Sequence, residues 1–186
     1  MTRQKKVQLD SFDNSSFERG RSWLVEALWR TTEGLFMHSW IPGSTWRVWI
    51  LRAFGASVGA GVVVKPHVRI KFPWKLRIGD NSWIGEGVWI DNLAEVSIGK
   101  NCCLSQGVYL CGGNHRWDLE SFDLLAQPID IEDHCWIGAQ AKIAPGVTCR
   151  EGSMLTLGSV ATADLLNWQI HSGHPAQAIR SRKRPK

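Results

Sequence analysis

Residues 73–102 read PWKLRIGDNSWIGEGVWIDNLAEVSIGKNC, and the spacing of their apolar residues decides the fold. Ile78, Ile84 and Ile90 stand six apart, each followed by a small or turn-forming residue, Gly79, Gly85 and Asp91. A helix repeats near 3.6 and a strand at two, so a sustained period of six marks a coil that returns on itself. Working outward, the same step gives Val58, Val64 and Ile70 before the stretch and Ile98, Leu104 and Leu110 after it. Beyond an interruption it resumes at Ile131, Ile137 and Ile143 and runs through Cys149, Leu155 and Ala161. Three short strands per coil build a triangular prism, with the apolar residue of each hexad on the axis and a small residue at the corner. Successive coils stack as parallel strands about 4.8 Å apart, so the backbone groups of each flat face pair with the coils above and below. Starts at 58, 78 and 98 are twenty apart, which predicts two extra residues at one recurring corner, whereas 131 and 149 return to eighteen.

On the N-terminal side the period changes. Residues 1–16 form a polar arm, expected to be disordered or draped over another surface. From Ser22 to about Ser39, Leu24, Leu28, Thr31 and Leu35 recur at helical spacing beside Trp23, Ala27 and Phe36, and a second short helix is predicted from Ser44 or Thr45 to Phe54, stopped by Gly55. Trp23, Trp29, Trp40, Trp46 and Trp49 all fall here. Two readings follow: the helices bury their tryptophans over the open end of the prism, or they form a peripheral membrane contact, since an indole suits a wet apolar boundary. The chain thus divides into an arm and helical cap (1–55), a prism with a protruding loop at 111–128 (56–165), and a C-terminal segment with a basic tail (166–186).

The length of 186 residues suits one domain. The formal charge of +5 is concentrated at the end, in Arg180, Arg182, Lys183, Arg184 and Lys186, which invites an anionic partner or simply aids solubility. Five cysteines (Cys102, Cys103, Cys111, Cys135 and Cys149), odd in number and without a CxxC pair, argue against a disulfide framework or a structural zinc site. Filling the prism or facing solvent is the role expected of Cys102, Cys103 and Cys111. A polar N-terminus without an apolar core of signal type, and no apolar run of spanning length, set the expectation of a cytoplasmic protein.

Between Leu110 and Ile131 lies CGGNHRWDLESFDLLAQPID, far more than one corner needs. A loop must leave the coil there. Gly112, Gly113 and Asn114 give its start backbone freedom, and His115 follows beside the prism. An imidazole so placed can accept a proton from a hydroxyl nucleophile.

The hexads, the loop with Asn114-His115, Trp136-Ile137-Gly138, Ala144-Pro145-Gly146-Val147, Gly158-Ser159-Val160 and Gly173-His174-Pro175-Ala176 resemble the hexapeptide-repeat acetyltransferases. The stretch at 73–102 is similar, more narrowly, to the colanic acid biosynthesis branch of sugar O-acetyltransferases. The resemblance implies a mainly β fold, a left-handed parallel β-helix with N-terminal helices; the handedness comes from the likeness and not from the spacing. It implies acetyl-CoA as co-substrate with no metal, a sugar or lipid-linked sugar acceptor in exopolysaccharide biosynthesis, a homotrimer, and no nucleic acid. It casts His115 as general base in direct transfer, Trp136 as the wall of the pantetheine cleft, and the Ala139 amide as oxyanion donor. Thr162 and the Gly173–Ala176 turn, with Gly173 and Pro175, would border the coenzyme, and Arg180 would serve its phosphates. Ala163, where the family often has Lys, and Leu165-Leu166-Asn167-Trp168, in place of a Pro-containing turn, depart from the pattern.

Glu86, Asp91 and Asn92 lie one coil before the loop and are candidates to bind sugar hydroxyls or orient His115; Asp118, Glu120 and Asp123 are nearer in sequence but read as solvated loop carboxylates. Two other classes remain open at this point. A trimeric β-helix zinc enzyme like the gamma carbonic anhydrases would use His115 and His134 with a neighbour's His67, although the usual closely spaced histidine pair is missing. A non-catalytic β-helix scaffold would need neither the loop histidine nor a donor pocket.

Overall fold

The computed structural model describes residues 6–184, so the first five residues of the arm and the last two of the basic tail, Lys186 among them, lie outside it. The six-residue rhythm becomes a triangular solenoid. The first face stacks Ser57–Val58, Leu76–Ile78, Val96–Ile98, Ile129–Ile131 and Thr148–Cys149. The second stacks Val63–Val64, Trp83–Ile84, Cys103–Leu104, Trp136–Ile137, Met154–Leu155 and Gln169–Gly173, and closes on the antiparallel strand Ala176–Ser181. The third stacks Arg69–Ile70, Trp89–Asp91, Tyr109–Cys111, Lys142–Ile143 and Val160–Ala161. All other strand pairs within the faces are parallel, and in the register Ile78 lies on Ile98, Ile84 on Leu104 and Ile90 on Leu110.

Every hexad residue from Val64 to Ala161 named above is buried. A second inward column accompanies it two residues earlier, in Leu76, Val88, Val96, Val108, Ile129 and Val147, because alternation within each short strand turns that side chain inward as well. Corners use the left-handed backbone region, six residues apart in the pairs Gly61 and His67, Asn81 and Gly87, and Asn101 and Gly107, and then at every sixth residue through His134, Gln140, Gly146, Gly152 and Gly158. His67 and His134 are therefore corner residues of the solenoid.

The extra residues all fall where the third face turns into the first. Residues 71–75 and 91–95 occupy that corner in two successive coils, and the long loop of 112–128 occupies it in the next.

Two helices, α1 (Trp23–Thr32, continued by a π turn at Glu33–Met37) and α2 (Thr45–Ala53), seal the N-terminal end of the core with Trp29, Met37, Val48 and Leu51. Polar anchors fix them: the Trp29 indole donates to Ile70 O at 2.8 Å, and the Ile70 amide donates to Glu33 Oε1 at 2.7 Å. The expected burial of the tryptophans is corrected in detail. Trp29 is buried, but Trp23, Trp40 and Trp49 are exposed, and so are Leu24, Leu28 and Leu35 of the helical stripe. Backbone-directed anchors on the Trp29–Glu33 face set the roll of α1 and turn the Leu stripe outward. At the other end Leu165, Ile170 and His171 close the core.

Candidate active site

The loop leaves the corner tightly. Gly112 donates to Asp91 O at 3.0 Å, and a Cβ on Gly112 would stand 2.5 Å from that same oxygen, so only glycine lets the chain turn there. Gly113–His115 then pairs antiparallel with Leu124–Ala126, a two-stranded ribbon standing off the prism. His115 is half-buried on it. Its Nδ1 lies 2.8 Å from Phe122 O. A carbonyl only accepts, so Nδ1 carries a proton, and in the neutral ring Nε2 presents the lone pair. The ring stacks on Phe122 at 4.3 Å and 6°, and Phe12 meets it edge-on at 5.5 Å.

Phe12 arrives on the N-terminal arm, which is draped along the loop corner. The Gln8 amide donates to Glu120 O at 2.9 Å, Phe17 packs on Phe72, the Lys75 ammonium donates to Glu18 O, and the Trp74 indole donates to Arg19 O. Asp118 does not orient His115, since both its oxygens accept from Arg116, which holds its carboxyl below the usual range.

At the root of the loop, Asp91 pairs with Lys71 at 3.1 Å and accepts a 3.4 Å hydrogen bond from the Tyr109 hydroxyl. Burial, and then the neighbouring Cys111 thiol and Asp91, raise the Tyr109 pKa. Tyr109 stacks on Trp89 at 4.5 Å, over which Arg69 lies at 4.4 Å. Asn92 is corrected: it is fully buried, its Oδ1 accepts from the Phe72 amide and its Nδ2 donates to Phe72 O and Lys75 O, so it braces the corner and its side chain is not open to a sugar hydroxyl.

The remaining candidates gather elsewhere. Trp136 is half exposed on the second face, its indole donating to Ser105 Oγ at 3.0 Å. Gly138 follows, where a Cβ would lie 2.6 Å from Leu157 N, and the Ala139 N–H has no hydrogen-bond acceptor among the described residues. Glu86 occupies the equivalent corner two coils earlier and lines a groove of about 570 Å³ with His67, Arg69, Trp89, Gln106 and Tyr109. Gly173 and Pro175 form the turn between the last two strands, with a cis His174–Pro175 bond, and Arg180 is exposed on the final strand opposite Ile170. Thr162 is exposed just after the last strand of the third face.

Two groups result. Glu86, Trp136, Ala139, Gly173, Pro175 and Arg180 belong to the second face and its exit corner, whereas Asp91, His115 and Thr162 belong to the exit corner of the third. In a triangle the second face lies opposite the corner from which the loop departs. Among the described residues no group of three or more His, Cys, Asp or Glu converges as a metal cage.

Phe12, Phe122, Tyr109 and Lys71 are absent from the sequence reading. Lys71 was within reach of it, because the twenty-residue coil step sets 71 beside 91. Phe12 had no such signal.

The family pattern described as a hexapeptide repeat of succinyl-transferase matches residues 75–111 and 128–163, breaking at the loop. The putative colanic acid biosynthesis acetyltransferase WcaF of Escherichia coli K12 is 36% identical over 168 residues, covering 89% of this chain and 91% of the relative. A hexapeptide-repeat-containing acetyltransferase of Vibrio cholerae, solved in complex with acetyl coenzyme A, superposes with a TM-score of 0.81 over 97% of each chain at 24% identity, a likeness of fold. A galactoside acetyltransferase solved with coenzyme A gives a TM-score of 0.75 at 25% identity, over 86% of this chain and 82% of that one. With identity sustained along nearly the whole length of the Escherichia coli relative, the chain belongs to the hexapeptide-repeat acetyltransferase family and is an acyltransferase.

Proposed function

We propose that the protein transfers an acetyl group from acetyl-CoA to a sugar hydroxyl, in exopolysaccharide biosynthesis, without an acyl-enzyme. The observation that carries this is the 2.8 Å contact of His115 Nδ1 with Phe122 O: with Nδ1–H donated to that carbonyl, Nε2 of the neutral ring is left to take the hydroxyl proton. The acceptor oxygen attacks the thioester carbonyl, and the oxyanion is stabilised by the unpartnered N–H of Ala139. Collapse breaks the C–S bond, and the imidazolium returns its proton to the departing thiolate, releasing free coenzyme A. Trp136 flanks the pantetheine arm, with Thr162, Gly173, Pro175 and Arg180 toward the adenosine phosphates. Glu86 and Asp91 are the acceptor contacts.

The two groups of residues on opposite parts of the prism support a homotrimer. Around a threefold axis parallel to the solenoids, the loop corner of one protomer reaches the second face of the next, and three equivalent sites follow. Left-handed winding belongs to the same reading. The name of the Escherichia coli relative supports a polysaccharide role, and the coenzyme complexes of the two solved relatives support the donor.

The test is His115→Ala, assayed by release of free coenzyme A thiol across a panel of free, nucleotide-linked and lipid-linked sugars. Turnover falls roughly 100-fold or more, with acetyl-CoA affinity unchanged. Normal acetylation by the variant would refute the assignment.

A further inference from the structure

The outward-facing stripe on the helical cap plays no part in the transfer reaction. Leu24, Leu28 and Leu35 keep the spacing of a buried helical face, yet they lie on the solvent side of α1 and its π turn, each at least 60% exposed. Trp23 is 74% exposed and Trp40 80% exposed. Trp40 and Ile41 stand on a turn that is held rigidly in place. The fully buried Arg47 guanidinium donates to Ser39 O at 2.6 Å and Ile41 O at 2.9 Å, as well as to Gly43 O. An apolar turn braced by a desolvated arginine is built to stay out in the open. Beside it an open groove of about 570 Å³, almost wholly apolar, runs between the helices past Phe36, Ile41, Trp49 and Phe54.

We infer that this cap docks on the anionic leaflet of a phospholipid bilayer. Charge and composition select that partner. Residues 19–54 carry five arginines and two glutamates, a net charge of +3, and Arg21, Arg30 and Arg52 are exposed, Arg30 beside Glu33 and Arg52 donating to Val58 O and Gly59 O. Exposed indoles among leucines, on a cap of net positive charge, match the interface between headgroups and acyl chains. The groove admits hydrocarbon. No helix among the described residues is long and apolar enough to cross a membrane, so the cap lies on the surface and does not span it. The position also fits. The cap sits at the end of the solenoid, so packing of prisms through their flat faces leaves it free, and a parallel trimer would set three caps in one plane.

The full chain is mixed with vesicles of phosphatidylethanolamine and phosphatidylglycerol, or of phosphatidylcholine alone, and followed by co-sedimentation and by tryptophan quenching with brominated acyl chains. The wild type sediments with the anionic vesicles and is quenched. The variant Trp23→Gln/Trp40→Gln/Trp49→Gln loses at least about 10-fold in partition, the scale for three indoles leaving an interface, while keeping its circular dichroism, oligomeric state and thiol release with a soluble acceptor. Should the triple variant fold poorly, Trp40→Gln alone, on the most exposed ring, weakens partition about 3-fold. A wild type that stays in the supernatant, or variants that sediment like it, would overturn the inference. Variants that change oligomeric state would instead make the stripe an interface between copies, and lipid docking would be wrong.

Discussion

Phe12 is twelve residues into a polar arm, yet it touches the imidazole assigned as base, and its removal gives a graded prediction. Phe12→Ala deletes one edge-to-face partner of His115 and leaves the Phe122 stack and the Nδ1 hydrogen bond in place. Such aromatic pairs contribute about 0.5–1.5 kcal/mol beyond burial. If that energy holds the ring in the one orientation that presents Nε2, then at 1.36 kcal/mol per tenfold change kcat drops about 2- to 13-fold. That is well short of the loss for His115→Ala. The arm is tied down at Gln8, Phe17, Glu18 and Arg19 as well, so Tm should move little. Steady-state release of coenzyme A thiol, with kcat and the KM for acetyl-CoA determined separately, reads the effect: kcat falls and the donor KM does not. Phe12→Leu, which retains bulk, recovers part of the loss. An unchanged kcat would mean that the arm merely covers the loop, and a loss as large as that of His115→Ala would mean that the arm does something other than orient a ring.

Two further outcomes concern the prism. Leu110→Ala, at a fully buried axial position, should cost about 3 kcal/mol, seen as a Tm lower by roughly 6–12 °C in calorimetry. His171 is buried at the C-terminal end of the core; its Nε2 accepts from the Leu166 amide and its Nδ1 has no partner among the described residues. Burial lowers its pKa below the ordinary 6.5, so between the folded value and 6.5 the unfolded chain binds more protons than the folded one. The neutral ring's contribution is thus complete above that window and is lost as pH falls through it. Denaturant titrations from pH 7.5 to 5 should show a decline in stability that His171→Gln lessens, and an identical decline in the variant would contradict this.

The prism was legible because six-residue recurrence of Ile, Leu and Val has few alternative explanations, and the twenty-residue coils signalled extra residues at one recurring corner, though not which of the three. The second inward column was not read, because small or β-branched residues two positions before each hexad residue carry a weak signal until strand alternation is known. Asn92 and α1 show a different limit. A polar side chain next to a candidate carboxylate reads as a ligand contact, yet it turned inward to satisfy the backbone of Phe72 and Lys75. A leucine stripe reads as a core face, yet hydrogen bonds from Trp29 and to Glu33 set the roll of the helix. His115 was legible through its glycine-led loop, but its aromatic cradle was not, because Phe12 lies more than a hundred positions away and no period links the two.

The turn from third face to first absorbs every insertion in this solenoid, from two residues to a whole ribbon, without shifting the axial columns. One residue added within any strand would instead exchange the inward and outward side chains of that rung. The fold therefore keeps a single vertex where length is free to vary. Loops can be grown or trimmed there, by evolution or by design, while the stacked rungs that carry stability stay in register.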